Sequence, residues 1–320
     1  MKVFITSIVP NITIELLEKN GIEVIQHRSY LPISSKSLIK KAKNCDAILT
    51  LLSNKIDKEI IDSLPKLKII SNYAVGYNNI DIESATEKKI WVTNTPDVLT
   101  NATADLAFAL LLACARRIVE ADEFTRKGKF KIWQSDLMLG KEVSGKTIGI
   151  IGCGRIGQAV GRRAKGFGLN ILYYDKTPKN EFEKETGAKF VNLKTLLKKS
   201  DFITIHTPLN KNTYHLLDEK EFSLMKDGAI LINTARGEVI NEKVLVESLK
   251  SGELFSAGLD VYEFEPKISK ELLKMKNVVL LPHIGSATEE TRNKMAELAA
   301  QNIIRVLKGK KPLTPVNNIK

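Results

Sequence analysis

The sequence predicts an α/β protein with parallel sheets in two globular domains, and three observations lead there. Short β-branched runs alternate with amphipathic stretches along the whole chain, as in units whose parallel strands are joined by helical crossovers. The later runs are apolar almost from end to end, as strands covered on both faces must be. With 320 residues, 43% of them hydrophobic, the chain can bury two separate cores.

The first strands fall on "KVFIT", "EVIQH", "DAILTLL", "KIISNYAVG" and "IWVTN". A long helical pattern follows in "NATADLAFALLLACARRIVEADEFTRKG", with Thr100 or Asn101 as N-cap and Gly128 as its stop. Its apolar face covers too many turns for a surface helix, which predicts a crossing between domains or a subunit interface. Strands resume in "KTIGIIG", "NILYYD", "DFITIHTP", "GAILINTA", "FSAGLDVY" and "NVVLLPH". These runs end in Gly152, Asp175, Thr207, Arg236, Asp260 and His283. Ligands of an open parallel sheet bind outside the carboxyl ends of its strands, so these endings converge on one crevice. A capping box, Ser286-x-x-Glu289, predicts the start of a last helix, and "KGKKPLTPVNNIK" reads as a frayed tail.

Composition narrows the function classes. The net charge of +12 raises the question of nucleic acid, but the basic residues are scattered as pairs among acids and only 6% of the chain is aromatic. A solvated surface explains them better than a binding stripe. No run of 18 apolar residues occurs, and the apolar start breaks at Pro10 and Asn11, which predicts a soluble chain without a membrane partner or a signal peptide. Cys45, Cys114 and Cys153 have no metal-like spacing; neither a disulfide framework nor a metal site is expected, and a reducing cytoplasm fits.

Within "IGCGRIG", Gly152, Gly154 and Gly157 sit between a strand and the helix "GQAVGRRAKGFG". In that context the backbone N–H groups at the helix start would receive a pyrophosphate, whereas the same glycines out of context would mark only a tight turn. Eighteen residues past Gly157, at the end of the next strand, Asp175 is placed to accept a hydrogen bond from a ribose 2′-hydroxyl. Its carboxylate would repel the 2′-phosphate of NADPH, so NADH is the expected cofactor. Lys176 and Lys179, read as solvent-exposed, would recover part of that loss.

A bound nicotinamide passes hydride to a carbonyl carbon, so the protein must supply a proton and a cation. Arg236 in "INTARGEV" offers the fixed fork of donors that matches a 2-oxoacid. His283 in "LLPHIGSAT" is the proton donor, with Glu265 in "DVYEFEP" placed to favour and orient its protonated ring. His206 competes for the acid role but falls inside a strand beside the cofactor, and His27 and His215 read as surface or structural.

Through "SNYAVGYNNID", "NTPDVLTNATADLAFALLLACARR", "SGKTIGIIGCGRIGQAVGRRAKGFG", "INTARGEVI", "GLDVYEFEP" and "LLPHIGSATEETR", nearly the whole chain resembles the D-isomer-specific 2-hydroxyacid dehydrogenases, in their glyoxylate/hydroxypyruvate reductase branch. The resemblance implies Arg236, Glu265 and His283 as the catalytic trio. It implies Val75 and Gly76 as N–H donors to the substrate carboxylate, beside Arg236. Thr103, Gly152, Gly154, Arg155, Ile156, Gly157, Asp175, Thr207, Pro208, Thr213, Thr234, Ala235 and Asp260 would line the cofactor, and Trp133 would reach a neighbouring subunit's site in a homodimer.

It also implies a discontinuous arrangement. Residues 1–98 and 287–320 would form a flavodoxin-like substrate domain and residues 99–286 a Rossmann-type domain binding NAD, with substrate in the cleft between them and closure excluding water. The expected reaction is NADH-dependent reduction of glyoxylate or hydroxypyruvate to the 2-hydroxyacid. The alternatives are 3-phosphoglycerate dehydrogenase and a non-catalytic NAD-sensing scaffold of the same fold.

Overall fold

The computed structural model describes residues 1–319. It divides into two compact units, Met1–Leu99 with Ser286–Lys320, and Thr100–Gly285. The first unit opens with strands β1 (Lys2–Ile5), β2 (Glu23–Gln26), β3 (Ala47–Thr50), β4 (Ile69–Asn72) and β5 (Trp91–Thr93). Between them run helices α1 (Asn11–Lys19), α2 (Ser35–Ala42), α3 (Lys58–Asp62) and α4 (Ile82–Glu87). All pairings are parallel, in the order β2-β1-β3-β4-β5, which is the flavodoxin order. β3 and β4 are buried at every residue, as central strands with helices on both faces must be.

The second unit begins with α5 (Thr100–Ala115) and α6 (Ile118–Arg126). Its strands are β6 (Thr147–Ile151), β7 (Asn170–Tyr174), β8 (Lys189–Phe190), β9 (Phe202–Ile205), β10 (Ala229–Asn233), β11 (Leu254–Leu259) and β12 (Val278–Leu280). The crossover helices are α7 (Arg155–Gly166), α8 (Asn180–Thr186), α9 (Leu193–Lys199), α10 (Glu219–Phe222) and α11 (Glu242–Ser251). The sheet order is β12-β11-β10-β9-β6-β7-β8, parallel throughout. Counting strands within the unit, its first six follow the Rossmann order 3-2-1-4-5-6, and the strand order reverses between β6 and β9. The chain then returns to the first unit as α12 (Glu289–Leu307), packed against α1 and β4. Among the described residues no helix is long and apolar enough to cross a membrane.

Three local expectations are corrected. The helical pattern over residues 101–127 is two helices, because Arg117 takes a left-handed φ of 53°. A returning segment accounts for the break: the Lys141 N–H donates to the Ala115 carbonyl at 2.7 Å, taking the acceptor that a continuous helix would need. The buried residues of α5, including Ala107, Leu111 and Cys114, join the core of the second unit against β10, β11 and α7.

The last helix is capped by Thr288, which accepts from the Thr291 N–H, and not by Ser286. The tail is also docked. Val316 N–H donates to the Val92 carbonyl at 2.7 Å, and Asn317 Oδ1 accepts the Val92 N–H at 2.8 Å. The tail thereby covers the edge of β5, which would otherwise leave ladder groups unpaired. Finally, β8 is a two-residue edge strand that the hydrophobic pattern does not announce.

Candidate active site

The three fingerprint glycines do different work. Gly152 leaves β6 with φ of 91°, and a β-carbon there would lie 2.6 Å from the His206 carbonyl oxygen. It lets the turn after β6 lie against the end of β9 at the point where strand order reverses. Gly157 lies in the first turn of α7, where a β-carbon would overlap the Gly152 carbonyl oxygen, so its bareness sets the contact between helix and turn. Gly154 caps α7 and meets nothing within 4 Å of where a β-carbon would be. No internal packing requires glycine there. An open approach to the N-terminus of a helix twelve residues long is what a pyrophosphate needs.

Asp175 follows β7 and is held on both oxygens. Oδ2 accepts the Cys153 N–H at 2.8 Å and Oδ1 the Lys176 N–H at 2.6 Å, so the carboxylate is tied to the turn that carries the glycines. Lys176 is exposed as expected. Lys179 is not: its side chain is 29% accessible, with Nζ 3.9 Å from Asp175 Oδ1. The ammonium expected to reach a 2′-phosphate is therefore already drawn toward the carboxylate that would repel it. Arg155 and Ile156 open α7. Thr207, Pro208 and Thr213 lie after β9, where Thr213 Oγ1 donates to the Pro208 carbonyl at 2.6 Å and folds the loop on itself.

At the end of β10 the buried Thr234 has no partner for its hydroxyl among the described residues, and Ala235 and Arg236 follow. An orphaned buried hydroxyl at the carboxyl edge of this sheet suits a bound group. Together with the open Gly154, it fits a dinucleotide lying across the edge. Arg236 donates to the Ala235 carbonyl at 2.6 Å; burial works against its charge, while the carboxylates of Glu265 and Glu238 work for it.

Sequence reasoning missed what fixes this turn. Asn233, fully buried, accepts the Ala235 N–H at 2.9 Å and donates to the Arg236 carbonyl at 2.8 Å. Its signal was present, since a polar residue closing the apolar run "AILIN" must find partners.

His283 and Glu265 meet, with 3.1 Å between Nδ1 and Oε2. His283 stands in left-handed backbone, φ 55°, and the chain is held on both sides of it. Before it, the Tyr262 hydroxyl donates to the Leu281 carbonyl at 2.8 Å. After it, the fully buried Asp260 accepts the Ile284 and Gly285 N–H groups, both at 2.7 Å. Burial pushes the Asp260 carboxyl up, opposed by those two N–H groups and by His283. Thr103, in the first turn of α5, lies beside Gly285 and completes this cluster. The His206 imidazole, by contrast, is pushed down to about 3 by desolvation, and its ring bonds only to Thr204 Oγ1 among the described residues, at 2.8 Å. Desolvation thus works against the charged form that an acid needs.

Three further expected residues are described by their own surroundings. Trp133 lies between α6 and β6 with 78% of its surface exposed. Val75 and Gly76 belong to the first unit, in the loop after β4. There Asn94 Nδ2 donates to the Val75 carbonyl at 2.8 Å and Asn72 Nδ2 to the Gly76 carbonyl at 2.7 Å. The carbonyls are thus tied down, while the two N–H groups donate to nothing among the described residues.

A Rossmann-ordered sheet with this fingerprint and a histidine–carboxylate pair on one edge defines a nicotinamide-dependent oxidoreductase. Comparison with known proteins narrows the class. The family model described as D-isomer specific 2-hydroxyacid dehydrogenase, NAD binding domain, matches residues 108–285. The chain is 55% identical to a glyoxylate reductase of Thermococcus litoralis over 99% of this chain and 96% of that protein. Its structure is similar to that of a glyoxylate reductase from Paecilomyes thermophila, with TM-score 0.88 and 35% identity, covering 99% and 98% of the two chains. It is also similar to the NADPH-dependent glyoxylate/hydroxypyruvate reductase of Sinorhizobium meliloti solved with NADP and malonate, with TM-score 0.89 and 30% identity, covering 98% and 96%. The chain belongs to the D-isomer specific 2-hydroxyacid dehydrogenases.

The glycine assignments separate by experiment. Gly154→Ala should leave the melting temperature unchanged and weaken NADH binding by about ten-fold or more, because its methyl meets only the incoming pyrophosphate. Gly157→Ala should lower both, because its methyl meets backbone. Calorimetry and NADH fluorescence titration check this, and a Gly154→Ala protein that binds NADH normally would contradict it.

Proposed function

We propose that the protein reduces glyoxylate or hydroxypyruvate to the 2-hydroxyacid with NADH. The observation that carries this reading is the His283–Glu265 pair, held on the sheet edge that also bears Arg236 and the glycine fingerprint. The bound cofactor supplies the hydride that adds to the carbonyl carbon. Glu265 occupies Nδ1 of His283, which leaves Nε2 to give its proton to the carbonyl oxygen as negative charge develops there. The Arg236 guanidinium, carried on the turn that Asn233 fixes, orients the oxygens of the 2-oxoacid.

The first unit is assigned as the substrate domain, with the Val75 and Gly76 N–H groups as donors to the substrate carboxylate. The second is assigned as the NAD domain, with Thr103, Arg155, Ile156, Thr207, Pro208, Thr213, Thr234, Ala235 and Asp260 around the cofactor. Relatives named for glyoxylate reduction at about half identity support the substrate class.

The direct test is loss of NADH absorbance against glyoxylate, hydroxypyruvate, pyruvate and phosphohydroxypyruvate. The first two should give the highest kcat/KM; a preference for phosphohydroxypyruvate would contradict the assignment. In Glu265→Gln the imidazolium loses its carboxylate partner. The acid form then persists only at lower pH, and reduction should retreat toward acid with about ten-fold lower kcat/KM on the alkaline limb. An unchanged profile would remove Glu265 from this role.

NADH is the proposed cofactor because Asp175 stands where the ribose hydroxyls of NAD lie in this fold. Lys179 softens the repulsion of a 2′-phosphate, but as a partly exposed partner 3.9 Å away it is worth about 1 kcal/mol or less. Asp175→Ala should lower kcat/KM for NADH about ten-fold and narrow the gap to NADPH, since it also releases Lys179. A wild-type preference for NADPH would overturn the assignment.

A homodimer is proposed through the segment from α6 to Leu139. Ile118, Val119, Phe130, Ile132, Trp133 and Leu139 are each at least half exposed there, an apolar run of the kind that protein interfaces cover. Light scattering should give twice the chain mass at micromolar concentration, and a Trp133→Asp, Ile132→Asp double variant should give the monomer.

A further inference from the structure

Three stretches of chain lead away from the second unit's sheet: the loop after β9, the turn after β10 with Arg236, and the turn after β11 with Glu265. They meet at a second imidazole–carboxylate pair. His215 Nε2 lies 2.8 Å from Glu263 Oε1. From the same residue the backbone N–H donates to the Glu238 carbonyl at 2.8 Å, and Leu217 runs parallel beside Ile240. The other oxygen of Glu263 accepts the Glu242 N–H at 2.9 Å, while the Glu263 N–H donates to the Glu242 carboxylate at 3.1 Å.

Both carboxylates are almost out of water, Glu242 at 6% accessibility and the Glu263 side chain at 8%. Carboxylates so placed persist only with donors on their oxygens, and His215 supplies one of them. Packing adds a further tie, since a β-carbon at Gly237 would overlap the Tyr262 carbonyl. The residue after Arg236 therefore rests directly on the peptide that leads into Glu263.

Beyond Glu263 the chain makes a tight turn, closed by the Lys267 N–H donating to the Phe264 carbonyl at 2.8 Å, and Glu265 stands in it. The Glu265 side chain is 37% accessible, so its own surroundings do little to fix it.

We propose that His215 and Glu263 are positioning residues for the reduction: their pairing fixes the root of the turn that aims Glu265 at His283 and braces it against the turn that carries Arg236. The inference rests on the reading of Glu265 and His283 as the acid pair. Neither positioning residue is assigned to substrate or cofactor, and their effect passes through Glu265.

The test is the pH profile of kcat/KM for glyoxylate reduction, with a melting temperature for each protein. The proteins are wild type, His215→Ala, His215→Gln, Glu265→Gln and the double variant His215→Ala, Glu265→Gln. His215→Ala should draw the alkaline limb toward acid, as Glu265→Gln does, with roughly three- to ten-fold lower kcat/KM there. His215→Gln, which keeps a donor for Glu263, should restore most of it. The double variant should show no shift beyond that of Glu265→Gln, because both act through one hydrogen bond.

A His215→Ala profile that superimposes on wild type, whatever its melting temperature, would overturn the proposal, and so would shifts that add in the double variant. If Glu265→Gln itself leaves the profile unmoved, the acid-pair reading fails and the brace falls with it. If only His215→Ala leaves it unmoved, the brace alone falls. Should His215→Ala fold poorly, Glu263→Gln carries the same comparison, since it keeps an acceptor for the Glu242 N–H and should shift the limb the same way; an unmoved limb would overturn the proposal.

Discussion

Because every strand of the seven-stranded sheet pairs in parallel with its neighbour, each must hand its chain over at the same edge and recover it through a crossover at the other. The rest of the second unit depends on this. It gathers Gly152, Asp175, Thr207, Arg236, Asp260 and the approach to His283 along one line without any of them being neighbours in sequence. It also leaves the backbone groups at that edge without ladder partners, so side chains must supply them. Asn233 and Asp260 do so at the ends of β10 and β11. The same groups that satisfy the sheet's edge thereby shape the site.

His283 shows how the balance works. A left-handed backbone costs a residue with a β-carbon roughly 1–2 kcal/mol. A hydrogen bond to a charged group contributes about 1.5–3 kcal/mol, and Asp260 makes two of them to the residues that follow His283. The hold therefore exceeds the strain. The imidazole is left fixed in direction and half exposed, with its Nδ1 against Glu265. His206 illustrates the opposite outcome, half-buried with desolvation working against its charged form and no carboxylate among its hydrogen-bond partners in the described residues.

Much of this was legible in the sequence because it rests on local chemistry. Buried parallel strands write themselves as unbroken β-branched runs, and β6, β9, β10 and β11 fall where those runs are. The differing needs of Gly152, Gly154 and Gly157 follow from a strand, a turn and a helix in succession. What was not legible depends on partners distant in sequence. The break at Arg117 is set by Lys141 reaching the Ala115 carbonyl. The docking of residues 315–317 depends on the open edge of β5. Thr288 caps α12, although Ser286 has the better local pattern. Lys179 looked solvated because nothing in "DKTPK" says that the chain folds it back toward Asp175. In the site, the sequence names His283 and Glu265 as a pair and the structure brings them together, whereas the bonds of Tyr262, Glu263 and His215 run to partners that no local pattern announces.

The central claim is that the proton comes from His283 and from no other imidazole on this edge. Single-turnover oxidation of saturating NADH by glyoxylate, followed in His283→Ala and in His206→Ala, tests it most directly. The account predicts that His283→Ala slows the step by about 10²- to 10⁴-fold with NADH binding nearly unchanged, while His206→Ala stays within about ten-fold of wild type. Near-normal turnover in His283→Ala, or the larger loss in His206→Ala, would contradict it.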